Sequence, residues 1–201
     1  MYGLPSTSPK PPDVSEPDQA ISASAAVVLV RQHGEFFRVA RPEWLDKIDT
    51  SVSADHGGRW NPPASFGVLY LNADIVVARA NTNRLYEGRP YGLDDFQPSE
   101  LPVLVIVEIP ADNYVDALSD EGLDAVGLPP SYPLQAPGGD VVAHHRCQHI
   151  GQTVFQDGEL GIACRSAATR GGEGAELAWF HQEGRDLPAV LAVRPFDQWY
   201  P

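Results

Sequence analysis

Three side chains, Arg38, Arg59 and Tyr70, have the chemistry to hold an anionic ligand that carries an aromatic ring. Arginine grips phosphate oxygens through paired N–H donors, and a phenol packs against a ring or bonds a hydroxyl. Arg59 lies in the run Gly57-Gly58-Arg59-Trp60-Asn61-Pro62-Pro63. Glycine there lets a backbone approach a ligand, and proline stiffens the loop. Arg38 falls on a predicted strand before this loop and Tyr70 on one after it. If those strands are neighbours, two guanidinium groups and a phenol converge as a nucleotide diphosphate requires. A plainer reading pairs Arg59 with Asp55 and assigns Trp60 and Tyr70 to the core. The residues alone leave both readings open.

A second cluster is His144-His145-Arg146-Cys147-Gln148-His149. Its spacings allow two ligands to touch one metal, but closed zinc sites take four ligands in paired short spacings and no second pair follows. The cluster reads as a loop-to-helix junction with solvated histidines and a buried Cys147, and no metal site is expected. Other familiar chemistry is missing. Gly171-Gly172-Glu173-Gly174 has the wrong spacing for a dinucleotide fingerprint, and no P-loop or Gly-x-Ser-x-Gly elbow occurs.

The elements that must position these residues read as one mixed domain over 23–201. Short strands are predicted at Phe36–Ala40 and Gly67–Leu71. Helical spacing runs from Asp74, a cap, to Tyr86, with Gly88 just beyond. Leu101–Ile109 is the strongest strand, a β-branched run of buried type. Short helices are expected at Ser119–Val126 and Arg146–Gln156, and strands at Gly161–Arg165, Leu177–His181 and Val190–Phe196. Strands and helices without strict alternation indicate α+β rather than a doubly wound sheet. Residues 1–22, rich in Pro, Ser and Asp, read as a disordered or extended tail. The aromatic C-terminal run from Phe196 to Tyr200 reads as docked on the core.

Composition narrows the partners. The chain has 201 residues, 14 basic against 27 acidic side chains and a net charge of −13. Only Lys10 and Lys47 are lysines, so direct binding to nucleic-acid phosphates is not expected. No apolar run approaches the roughly 18 residues of a membrane span, and no signal peptide is expected. Two cysteines, Cys147 and Cys164, make no disulfide framework and fit a cytoplasmic protein.

The run His56-Gly57-Gly58-Arg59-Trp60-Asn61-Pro62-Pro63 followed by Val68-Leu69-Tyr70-Leu71 resembles the signature of the RES domain family. Phe36-Phe37-Arg38-Val39-Ala40 resembles its preceding Arg-bearing strand. Cys147-Gln148-His149-Ile150-Gly151 and Gly161-Ile162-Ala163-Cys164-Arg165-Ser166 resemble its later helix and its glycine-to-serine strand. The resemblance spans Phe36 to Phe180. It implies a mixed split β-sheet with flanking helices, similar to ADP-ribosyltransferase folds, with a cleft for NAD as substrate and no cofactor. It further implies a toxin that breaks the nicotinamide–ribose bond and is blocked by a cognate antitoxin. Members similar to transferases of ADP-ribose, and members that bind without turnover, are alternatives. A homodimer stays open.

The resemblance makes Arg38 and Arg59 the holders of the pyrophosphate or its neighbouring ribose. Tyr70 would pack against nicotinamide or its ribose, while Trp60 supports the loop. The family's Glu falls roughly eleven residues after the Tyr, where this chain has Asn81. An amide bonds a ribose hydroxyl but lacks the charge that stabilises an oxocarbenium-like transition state. Asp74, on the same predicted helix face as Asn81 and Arg84, and Glu87 near the helix end are substitutes for that charge. Ser166 is the expected family Ser, with His145 as the alternative.

Overall fold

The computed structural model describes residues 27–201. The expected tail at 1–22 lies outside them. The fold is α+β, a strongly curved mixed sheet with flanking helices.

Six strands form the sheet: β1 (Leu29–Ala40), β2 (Gly67–Asn72), β3 (Val103–Ala117), β4 (Gly161–Arg165), β5 (Ala175–His181) and β6 (Ala189–Arg194). Their order is β1-β2-β5-β4-β3-β6, and β1 also pairs with β3. The first five therefore close on themselves, with β6 added outside β3. The pairing of β3 with β4 is parallel; the rest are antiparallel.

Two strands run much longer than the sequence suggests, for one shared reason. Gly34 and Pro110, each a residue type that disfavours strand, fall at one irregularity of the β1–β3 ladder, where Gly34 pairs with Ile109 and Gln32 with Asp112, so that Pro110 and Ala111 stand against His33. The ladder shifts register between Gln32 and Gly34, and Gly34 has φ +92°. Glycine takes that conformation without steric cost, and a proline that lacks an N–H is tolerated where the ladder is already interrupted. The bulge bends β3 so that its first half lies between β1 and β6 while its last residues reach β4.

β1 and β2 meet at a single pair, Phe37↔Asn72, and diverge from there. This is the split in the sheet. The Asn72 side chain reinforces it by donating from Nδ2 to the Phe37 carbonyl at 2.8 Å.

Among the described residues four α-helices flank the strands: α1 (Ser51–His56), α2 (Ile75–Tyr86), α3 (Asp120–Ala125) and α4 (His144–Gln156). α1 falls inside what the sequence presents as loop. It has no buried residue and no side-chain cap, so neither helical periodicity nor a capping signal announces it. α2 starts as expected, with the Asp74 carboxylate accepting from the Val77 N–H at 2.8 Å. The apolar core lies on both faces of the sheet, one part around Trp60, Tyr132 and α4, the other around Phe36, Tyr114 and Trp179. Trp199 is 2% exposed and packs with Ala78 and Leu104, so the C-terminal aromatics dock on the core as expected.

Candidate functional site

The split between β1 and β2 opens into a cleft of about 650 Å³, within the size range of small-molecule sites. Arg38 comes from β1, Arg59 from the glycine-rich loop, Tyr70 and Asn72 from β2, and Asn81 and Arg84 from α2. The strands bearing Arg38 and Tyr70 are thus neighbours at the mouth of the split, as convergence on one ligand demands.

Arg38 is 9% exposed. Its Nη2 donates to the Asp49 carbonyl at 3.3 Å, its guanidinium lies 5.6 Å from the Trp44 ring centroid, and Nε has no partner. Burial lowers its pKa to about 10, against the pull of Asp49 and Asp46, so it remains a cation at neutral pH. Arg59 does not pair with Asp55. Its Nη1 donates to the Val142 carbonyl at 3.4 Å and lies 3.9 Å from the Cys147 sulfur. Among the described residues the ion pairs are Arg41–Glu43 and Arg165–Asp120, so Arg38, Arg59, Arg84 and Arg89, all lining the cleft, are free of carboxylate partners.

The loop that carries Arg59 is held from two sides. Inside it, the Tyr70 hydroxyl donates to Asn61 Oδ1 at 2.7 Å and accepts from the Trp60 N–H at 2.9 Å. Asn61 Nδ2 donates to the Ser53 and Phe66 carbonyls at 2.6 and 3.1 Å. Burial raises the Tyr70 pKa, so the phenol stays neutral and serves as a hydrogen-bonding strut. Gly58 is required beneath that ring, because a Cβ there would lie 2.4 Å from the Tyr70 oxygen. From outside, α4 packs on the loop: Gln148 Nε2 donates to the Gly58 carbonyl at 2.9 Å, and Cys147 is fully buried beside Arg59. The Cys147-to-Gly151 segment therefore touches the loop and does not line the cleft. Trp60, 0% exposed, supports the loop from within the core.

His144 and His145, at the start of α4, are both exposed, and of the two His144 lines the cleft. Partial burial and the positive charges of Arg59 and Arg84 lower the His144 pKa. His149 is also exposed while Cys147 points into the core, so this segment does not gather its ligand types at one point. Among the described residues no group of three or more His, Cys, Asp or Glu is placed to hold a metal ion. Nor is any described helix long and apolar enough to cross a membrane.

Asn81 and Ser166 are brought together by a residue the sequence reading passed over. Glu176, the second residue of β5, accepts at Oε1 from Asn81 Nδ2 at 3.0 Å and from Ser166 Oγ at 2.6 Å. Asn81 Nδ2 also donates to Asn72 Oδ1 at 2.7 Å, which ties the group to the split itself. Ser166 is fully buried behind Glu176, and its Oγ also accepts from the Ala168 N–H at 3.1 Å. Glu176 lines the cleft, as does the exposed Glu87 at the end of α2; Asp74 is occupied as the helix cap. One signal was available. In the run Ala175–His181, Leu177 to Phe180 are all buried, so a glutamate directly before them is an acid at the edge of a buried strand.

A sequence model of the RES domain matches residues 35–199, nearly the whole described chain. No curated protein matches. Among solved structures, the chain is similar to one in the crystal structure of the M. tuberculosis MbcT–MbcA toxin–antitoxin complex, with a TM-score of 0.66 and 18% identity. The match covers 82% of this chain and 85% of that one. At this identity the likeness establishes a shared fold, and the family match over residues 35–199 establishes more: the chain belongs to the RES domain family.

Proposed function

We propose that this protein is the toxin of a toxin–antitoxin pair and degrades NAD by cleaving its nicotinamide–ribose bond. The observation that carries the reading is the charge of the cleft. In a chain of net charge −13, four arginines line one cavity and none has a carboxylate partner among the described residues. Unpaired cations kept beside a cavity favour an anionic ligand, and guanidinium suits a diphosphate. The buried Arg38, with a free Nε, supports that role most directly. Family membership supports NAD as that anion, and in this reading Arg38 and Arg59 hold the pyrophosphate or its ribose and Tyr70 packs against the nicotinamide end.

A cognate antitoxin that covers the cleft is the matching partner, supported by the shared fold with a chain from a toxin–antitoxin complex. An acidic exterior suits a partner with basic surface better than direct contact with DNA.

The test is nicotinamide release from NAD by the purified protein, with Arg59→Ala as control. Release that disappears in the control supports the reading. ADP-ribose binding without release would instead favour a module that binds without turnover, and labelled protein products would favour ADP-ribose transfer. Absence of both binding and release would overturn the assignment of the cleft.

A further inference from the structure

We propose that the carboxylate of this active site is Glu176, delivered by β5, and that Asn81 and Ser166 are positioning residues that hold it. The inference rests on the NAD-cleaving reading above and adds the group that performs the charge stabilisation.

Breaking the nicotinamide–ribose bond sends both electrons of the C–N bond to the leaving nitrogen, so nicotinamide departs neutral and positive charge builds on the ribose. A fixed carboxylate opposite that charge stabilises the transition state. Water then forms the new C–O bond at the same carbon, and its proton passes to the carboxylate and on to solvent. The products are ADP-ribose, nicotinamide and a proton, with no further reactant.

Among the described residues, two acidic side chains line the cleft, Glu87 and Glu176. Glu87 is exposed and lies just past the end of α2. Glu176 is half-buried, opposite Asn72 in the β2–β5 ladder, at the base of the split. Both of its partners donate to the same oxygen, Oε1, and Oε2 makes no hydrogen bond among the described residues. Two donated bonds hold the side chain in one orientation. One oxygen is thereby committed to the protein, and the other is left for substrate.

This arrangement also accounts for Asn81. Its Nδ2 donates to two oxygens at once, Glu176 Oε1 at 3.0 Å and Asn72 Oδ1 at 2.7 Å. A glutamate at position 81 has no proton to donate when ionised, and would set a second negative charge against Glu176. Asn81 and Glu176 are therefore complementary. The amide at 81 is matched to an acid supplied from another element, and the reaction's charge is carried by the strand.

The experiment measures nicotinamide release and ADP-ribose affinity for wild type, Glu176→Gln, Asn81→Glu and the double variant Asn81→Glu/Glu176→Gln. Glutamine keeps the shape and an oxygen that both donors can reach, so the fold is retained. Glu176→Gln is expected to lower kcat about a hundredfold or more, with ADP-ribose affinity unchanged. Asn81→Glu alone is expected to lower kcat, while the double variant recovers at least about tenfold over Glu176→Gln, because the charge returns across the same hydrogen bond. Ser166→Ala is expected to reduce kcat with KM unchanged. Wild-type kcat in Glu176→Gln would overturn the inference and leave the NAD-cleaving reading intact. Loss of ADP-ribose binding together with kcat in that variant would also overturn it, by giving Glu176 a structural role. A wild-type protein that neither binds ADP-ribose nor cleaves NAD would remove the reading itself.

Discussion

The backbone of Gly151 on α4 lies directly against the carbonyl of Trp60, so closely that a Cβ at 151 would fall 1.8 Å from the Trp60 oxygen. Trp60 follows Arg59 in the chain, so this contact sets how near the helix stands to the cationic loop. A methyl group cannot be accommodated by a side-chain movement here, since the obstacle is backbone. Gly151→Ala should destabilise the protein by about 1–3 kcal/mol or more, the usual range for overpacking a filled interior. It should also weaken ADP-ribose binding by displacing Arg59. Gly92→Ala, where nothing lies within 4 Å of the added carbon, is the control and should stay within about 0.5 kcal/mol. Thermal unfolding of both variants decides it.

Tyr70 offers a separation of roles. Its hydroxyl joins the Trp60 N–H to Asn61 Oδ1, and Asn61 is fully buried. Tyr70→Phe keeps the ring and strands two buried polar groups, so stability should fall by about 1–3 kcal/mol. If the ring faces the nicotinamide end, KM for NAD changes little while the melting temperature drops. A KM that rises strongly at unchanged stability would show that the hydroxyl itself binds substrate.

Asp74 is expected to matter for the helix and not for the chemistry. Its carboxylate is committed to the Val77 N–H. Asp74→Ala should cost about 1 kcal/mol as a lost N-cap and leave kcat for nicotinamide release unchanged. Chemical denaturation beside a kcat measurement distinguishes this from a catalytic acid, whose loss would act on kcat first.

His144 reports on the charge of the cleft. Partial burial, Arg59 and Arg84 all disfavour its imidazolium, so its folded pKa lies below the ordinary 6.5. A bound diphosphate offsets the arginine charges, so ADP-ribose should raise that pKa. The sign follows: binding takes up a proton, and affinity tightens as pH falls from above 6.5 through the pKa of the complex. NMR titration of the His144 ring with and without ADP-ribose measures it, with His144→Gln to assign the signal. A downward shift on binding would place the diphosphate elsewhere.

The parts of the site that could be read from the sequence are those built from short separations. Arg59, its glycines and Tyr70 lie within one loop and the next strand, and the residue types there declare a rigid turn beside a cation. The helix cap at Asp74 and the α+β class follow from equally local patterns. Glu176 was out of reach because its contact with Asn81 spans 95 residues, and only the β2–β5 register puts it beside Asn72. The predicted strand began one residue later, at Leu177, and so left the acid in a loop. That His144 and not its neighbour His145 lines the cleft was equally out of reach, since it depends on how α4 is placed against the rest of the fold. The lengths of β1 and β3 were out of reach as well: Gly34 and Pro110 each disfavour a strand, and only the register shift between the Gln32↔Asp112 and Gly34↔Ile109 pairs lets both strands continue.

That bulge has a further consequence. Because β3 passes from β6, along β1, to β4, it is a shared member of three of the six ladders, and only the β1–β2, β2–β5 and β4–β5 ladders lack it. A cut through the chain between Val103 and Ala117 separates β3 from its partners on one side or the other, because β1 precedes it in the chain while β4 and β6 follow. Amide exchange along β3 should accordingly proceed only through global opening, with its two halves protected equally, so that the molecule behaves as one foldon and not as two lobes hinged at the cleft.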